Sequence, residues 1–318
     1  MRSGAHTPQA SCEIQPGAAT ATRARILTEP LSARTTNERL SEAYWSRHNV
    51  TAHRVFNSVA ESLAYFDWRN DQYPGYIDLM PVSGCDGKVV LDFGCGPGND
   101  LVGFGTFSKP ANLIGMDVSG ASLAEAESRV RLHGIRTELV KINERDERIP
   151  LPDEAIDYLH CSGVLMTVAD PLKTLCEFRR VLREGGIARL MVYNYDSIWL
   201  HLYVAYILRA KVEAFRTMSV MEVFLRSTDG AECPINRCWT ADEFLALGKQ
   251  SGFEVTHIGN AVSLWELGLL PQRFEAMQSL ELPAEHRKFL MELEFDRKGI
   301  PHRRGQVAGI DGCYELRK

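Results

Sequence analysis

The hydrophobic and polar positions of this chain follow a rhythm that sets in at residue 88. From there, short apolar runs alternate with stretches of helical periodicity. Residues 88–93 (KVVLDF), 112–117 (NLIGMD), 137–142, 155–161 and 187–193 (IARLMVY) predict five buried strands. Residues 99–107, 119–133 and 171–183 predict the helices between them. Ser119 offers an N-cap, Gly134 a C-terminal stop, and Gly185-Gly186 an end to the third helix. Strands and helices in this alternation predict a parallel sheet covered on both faces, joined by right-handed crossovers.

The rhythm stops after Asn194. Residues 195–238 read as an insertion with a helical start and a polar loop at 227–237. It resumes with a helix at 240–251 and a strand at 253–258. A second insertion, helical and charged, covers about 262–305, and residues 312–317 (GCYELR) alternate as a closing strand. Upstream of the sheet, Tyr44, Trp45, Phe56, Tyr65, Phe66, Trp68, Tyr73 and Tyr76 mark an aromatic, helical cap. The expected organisation is a disordered tail (1–36), a helical cap (37–84), a ligand-binding core (85–194), an insertion forming the acceptor-pocket region (195–238), and the end of the sheet with its helical insertion (239–318). The tail expectation rests on few aliphatics and on Pro8, Pro16, Gly17 and Pro30.

Composition narrows the partners. The chain has 318 residues, 45% hydrophobic and 24% charged, with a net charge of −5. That is ordinary globular composition. An acidic chain is not built to neutralise phosphates, so no nucleic-acid partner is expected. No apolar run is long enough to span a membrane; the most apolar stretch, 198–208, is short and interrupted by His201. The eight cysteines form no CxxC pair, so no metal is expected and a reducing, cytoplasmic setting fits. A homodimer is compatible with insertions of this size.

The chemistry concentrates in VVLDFGCGPGND, residues 89–100. A strand ends in Asp92, and Gly94-x-Gly96-x-Gly98 leads into a helix. Glycines allow a tight turn and close approach of the backbone to a ligand. The GxGxG spacing is not the GxGxxG of dinucleotide enzymes, and no Lys-Ser or Lys-Thr pair follows as in a phosphate loop. A carboxylate at the strand end would repel a pyrophosphate and suit a cationic ligand.

With these residues the chain resembles the class I S-adenosylmethionine (SAM)-dependent methyltransferases, over roughly residues 85–195 and more weakly at 240–258 and 311–317. The resemblance implies an α/β fold: a Rossmann-like, seven-stranded, mostly parallel sheet with helices on both faces, here with an N-terminal helical cap and two insertions. It implies SAM as cofactor. Asp92, Gly94, Cys95, Gly96 and Gly98 would line its methionine part, Asp117 would accept from both ribose hydroxyls, and Val118 would border the adenine. Cys161 and Ser162, at the end of the fourth strand, would face the sulfonium. The segment FRRVLREGG, 178–186, is similar to the family's pre-strand helix, with Glu184 in place of the usual Pro. One departure concerns the adenine: after the third strand stands KINERD, 141–146, in a longer loop, where Asn143 is expected to serve, with Glu144 or Asp146 as alternatives.

The acceptor must approach at the carboxyl edge of the strands. Tyr193, Asn194, Tyr195 and Asp196, which follow the fifth strand, are the expected reaction-site residues. Tyr44, Trp45, Tyr65 and Arg237 are expected substrate contacts: the aromatics as a roof favouring a cation, Arg237 as a partner for a carboxylate or phosphate. His160 and His201 are further candidate bases. No base constellation declares itself, which leaves room for a thioether acceptor. The expected activity is methyl transfer to a small polar metabolite at O, N or S. The alternatives are a saccharide or natural-product hydroxyl and, in another class, a non-catalytic SAM-binding module.

Overall fold

The computed structural model describes residues 41–143 and 148–318. The expected tail, and Glu144 and Asp146, lie outside the described residues. Residues 41–45 are helical, followed by an irregular turn and helix α1 (Val59–Asp71), then the single turn α2 (Tyr76–Leu79). The core then runs β1 (Val89–Phe93), α3 (Asn99–Phe107), β2 (Asn112–Asp117), α4 (Gly120–Leu132), β3 (Glu138–Lys141), β4 (Ile156–Ser162), α5 (Pro171–Val181) and β5 (Leu182–Tyr193). A π-helix (Trp199–Leu208) and α6 (Val220–Phe224) fill the first insertion. α7 (Ala241–Gln250) and β6 (Glu254–Ala261) return to the sheet. α8 (Leu264–Leu269), α9 (Arg273–Gln278), α10 (Ala284–Met291) and the short strands β7 (Glu294–Phe295), β8 (Pro301–Arg303) and β9 (Gln306–Val307) form the second insertion. β10 (Asp311–Arg317) closes the chain.

The main sheet has seven strands in the order β3-β2-β1-β4-β5-β10-β6. β10 runs antiparallel to both neighbours, and the pairs from β3 to β5 are parallel. Strand alternation sends Val90 and Leu113 to one face, where α3 and α4 cover them through Leu101, Phe104, Leu123 and Ala126. Leu91, Phe93, Ile114 and Met116 go to the other, against Leu175, Phe178 and Val181 of α5 and Phe244 of α7. The caps follow their sequence signals. Ser119 Oγ accepts from the Ser122 N–H, and Thr240 with Glu243 forms a reciprocal capping box.

Two boundaries differ from expectation. α5 stops at Val181, and Leu182 is already extended and paired with Ile156, so β5 begins five residues before Ile187. Leu182 and Ile156 are both fully buried, and sheet pairing of that contact overrides the helical spacing. The second insertion is helical only as far as Met291; a three-stranded sheet, β7-β8-β9, follows. Its β8–β9 turn places Arg304 and Gly305 at φ of 52° and 79°, the paired positive φ of a tight hairpin. Among the described residues, no helix is long and apolar enough to cross a membrane.

Candidate active site

β1 leaves the sheet into the glycine loop, and the φ angles there explain its composition. Gly94 (φ +76°) packs so closely that a Cβ would lie 2.2 Å from Val164 Cγ2. Gly96 (φ +50°) has nothing within 4 Å of where a Cβ would sit, so its missing side chain leaves open space. That space belongs to a cavity of about 530 Å³ at the carboxyl edge of the strands. Ligand pockets commonly span about 300–1,000 Å³.

The wall beside β2 is organised by Asp117. Its Oδ2 accepts from the Gly96 N–H at 2.9 Å and its Oδ1 from the Ser119 N–H at 2.7 Å. Each oxygen retains a lone pair for an O–H donor. Burial pushes this carboxyl up, and the backbone N–H groups of Ser119, Gly96 and Val118 pull it back toward the charged form. Val118, Ile142 and Asn143 continue the wall.

On the other side of β1 lies a buried charge cluster. Asp92 and His160 are Cα partners across β1 and β4, and His160 Nε2 lies 3.3 Å from Asp100 Oδ2. Burial raises Asp92 to about 7. Burial also works against charge on Asp100, but His160 and Arg69 outweigh it and hold that carboxyl well below the usual range. His160 in turn sits above its ordinary value, despite burial, because Asp100 and Asp92 favour its cation. Asp100 and Arg69 both line the cavity. Among the described residues the Arg69 guanidinium makes no hydrogen bond or ion pair, although Asp100 raises its pKa.

The residues expected from the sequence divide clearly. Gly94, Cys95, Gly96, Asp117, Val118, Asn143, Ser162 and Trp45 line the cavity. Gly98 is instead the N-cap of α3. Asp92 (2% exposed) lies beneath the loop against His160, and Cys161 (0%) points into the core. Arg237 does not face the cavity; it donates to the carbonyls of Val168 and Ala169, which do line it. Tyr44 donates to the Asp229 carbonyl, and Tyr65 to the Val50 carbonyl. The residues after β5 are also engaged elsewhere. Tyr193 donates to Asp229 at 3.1 Å, and Asn194 donates to the carbonyls of Gly309 and Asp196. Tyr195 packs edge-on against His201, and Asp196 pairs with Arg303 at 2.8 Å. None of these four lines the cavity. Asp100 and Arg69 were missed. Asp100 had a signal, being the second residue of the helix that follows the glycines; Arg69 had none beyond its place among the aromatics of the cap.

Comparison with known proteins bears on the same segment. Residues 91–190 match the model of a methyltransferase domain. That segment, from β1 to β5, is similar to a methyltransferase domain. A Streptomyces fradiae protein of 37.1 kDa, uncharacterized and from transposon TN4556, is 36% identical over 155 residues, 46% of this chain and 43% of that protein. The probable methyltransferase ltbC of Aspergillus luteorubrus is 34% identical over 122 residues, 36% of this chain and 41% of its own. The ubiquinone/menaquinone biosynthesis C-methyltransferase UbiE of Vibrio vulnificus is 31% identical over 152 residues, 45% of this chain and 56% of its own. The chain thus spans about half the length of the curated relatives it matches. Among solved structures, YcgJ of Bacillus subtilis superposes with a TM-score of 0.46 at 16% identity, over 76% of this chain and 97% of that one. A SAM-dependent methyltransferase of Mesorhizobium loti gives 0.45 at 14%, over 77% and 97%.

Proposed function

We propose that the protein is a SAM-dependent methyltransferase acting on a small-molecule acceptor. The observation that carries this reading is the charge distribution of one cavity. It joins a carboxylate with two free acceptor positions (Asp117), an open glycine turn (Gly96), and a guanidinium (Arg69) whose charge is supported by an ionised carboxylate (Asp100).

These groups fit SAM part by part. Asp117 holds the ribose hydroxyls, and Val118, Ile142 and Asn143 border the adenine. Arg69 takes the methionine carboxylate and Asp100 the ammonium, so the zwitterion meets opposite charges in one place. His160 keeps Asp100 ionised for that contact. SAM supplies an electrophilic methyl group on its sulfonium. Ser162, held by Tyr76, and Gly163 form the wall at the end of β4.

The acceptor is read as small because the opening that adjoins the cavity is of metabolite size. A second opening of about 480 Å³ lies between residues 44–53 and 228–232, and it shares Trp45, Asn49 and Val50 with the first. That shared wall offers an entry for a metabolite-sized ligand. Isotope-labelled SAM incubated with pooled metabolites, followed by mass analysis, tests the reading. A labelled product is expected. Calorimetry that detects no SAM binding defeats the proposal.

A further inference from the structure

Residues 41–53 lie along the cavity and supply one wall of it through Trp45, Asn49 and Val50, with the glycine loop and Asp117 in the others. None of their side chains joins the apolar clusters that hold the sheet to its helices. Polar side-chain contacts fasten them instead. Glu42 pairs with Lys141 at the end of β3, and the Ser46 hydroxyl lies 3.2 Å from that of Ser119, the N-cap of α4. A segment held by exposed polar contacts, without apolar burial, opens more readily than the core beneath it.

The strongest fastening is Glu125 of α4. Its Oε1 accepts from the Asn49 amide at 2.9 Å and lies 2.5 Å from His53 Nδ1; its Oε2 accepts from the Thr51 hydroxyl at 3.1 Å. The intervening backbone is strained, with Ala52 and His53 both left-handed at φ of 51° and 59°. Nδ1 also lies 3.3 Å from the Asn49 amide nitrogen, but at 2.5 Å from a carboxylate oxygen it must carry a proton. The other ring nitrogen, Nε2, lies 3.1 Å from the Arg47 carbonyl. The ring therefore bridges two acceptors, and only the imidazolium has a proton for each. Glu125 first and the Arg47 carbonyl second raise the His53 pKa, against an opposing effect of burial. Four other charged or titratable side chains line the adjoining opening. Arg47 and His48 belong to the same segment; Asp229 and Glu232 stand across from it.

Resting on the methyltransferase reading, we propose that residues 41–53 are a strap across the cofactor site and that His53 and Glu125 form its proton-controlled latch. The imidazolium fastens the strap; loss of its proton removes one of the two ring contacts and loosens it. The latch is complete below the ordinary histidine value of about 6.5 and weakens as pH rises through the raised value of His53. Its consequence is faster exchange of the cofactor at higher pH.

Two measurements on the full chain test this. Labelled SAM bound to the protein and chased with unlabelled SAM gives a release rate. In wild type that rate should rise about two- to fivefold from about pH 6 to about pH 8.5, the scale of one exposed charge pair. In Glu125→Gln and in His53→Asn, a residue that tolerates positive φ, release should be fast at both pH values. Asp92 also titrates in this range but is common to all three proteins, so the difference between them isolates the latch. Equal rates in all three, or the wild-type pH dependence retained in both variants, overturns the proposal. The second measurement needs no variant to fold for its outcome. The His53 ring titration in wild type, followed by NMR, should move to higher pH when SAM binds, because coupling between proton and ligand is reciprocal. A midpoint that SAM leaves unmoved overturns the proposal. Absence of SAM binding in wild type at every pH would instead defeat the methyltransferase reading itself.

Discussion

The Gly96 N–H donates to Asp117 Oδ2 at 2.9 Å, which ties the turn after β1 to the end of β2. Two residues separated by twenty others in sequence are thus one structural unit, because β1 and β2 are parallel neighbours in register. The carboxylate has two tasks: it fixes the loop from below, and it presents its remaining lone pairs to the cavity.

Asp117→Ala removes both. The expected result is a loss of SAM affinity of about 1–3 kcal/mol, the scale for hydrogen bonds to a charged group. Asp117→Asn should lose less, since the amide oxygen still accepts. Titration calorimetry decides, and equal affinity in wild type and Asp117→Ala rules out the ribose role.

The glycines of the same loop should separate folding from binding. A Cβ at Gly94 meets Val164 at 2.2 Å, so Gly94→Ala should destabilise the fold by about 1–3 kcal/mol. A side chain at Gly96 enters open space, so Gly96→Val should fold and fail to bind SAM. Urea unfolding and calorimetry on both variants give the two numbers. A folded Gly96→Val protein with full affinity would leave the turn a purely structural device.

Arg69 predicts a ligand-specific defect. Arg69→Ala should weaken SAM by about ten- to a hundredfold, about 1.5–3 kcal/mol. Methylthioadenosine, which lacks the amino-acid part, should bind both proteins alike. An equal loss for both ligands would mean that Arg69 supports the cap rather than the carboxylate.

Legibility in the sequence followed periodicity and local chemistry. The order of strands and helices from Val89 to Tyr193 was readable because β1, β2 and β4 are short apolar runs and α4 and α5 carry side-chain N-caps. Gly94, Gly96 and Asp117 were readable because a tight turn and a strand-end carboxylate are local features. The residues after β5 were not. Tyr193 and Asp196 have the right place in the chain, but Asp229 and Arg303, 36 and 107 residues away, engage their side chains. Arg69 lines the site from the cap, far in sequence from the glycine loop, and only the packing of the cap on the sheet brings it there. The β8–β9 hairpin escaped notice because Arg304 occupies a positive φ that sequence reasoning reserves for Gly or Asn.

The two insertions are joined by a pair of histidines, which leads to a pH prediction. His201 of the π-helix and His286 of α10 lie with their Nδ1 atoms 2.8 Å apart, so one donates and the other accepts. Both Nε2 atoms are sealed without a hydrogen-bond partner, and Phe289 stacks on His201 at 3.8 Å. Burial lowers both pKa values; for His201 the neighbouring His286 and Arg303 add to it, whereas Glu285 partly opposes it at His286. The folded protein therefore holds both rings neutral, and the unfolded chain binds protons below its ordinary value of about 6.5. Their contribution is complete above that pH and is lost as pH falls toward the depressed folded values. Asp92 and Asp311, both raised to about 7, act in the opposite direction over the same range. The comparison must therefore be between proteins and not between pH values alone. His201→Leu/His286→Leu should lose less stability than wild type between pH 7.5 and 5.5, by about 1.4 kcal/mol per unit of combined depression within that range. Parallel urea-unfolding profiles for the two proteins would show that the pair does not titrate with folding.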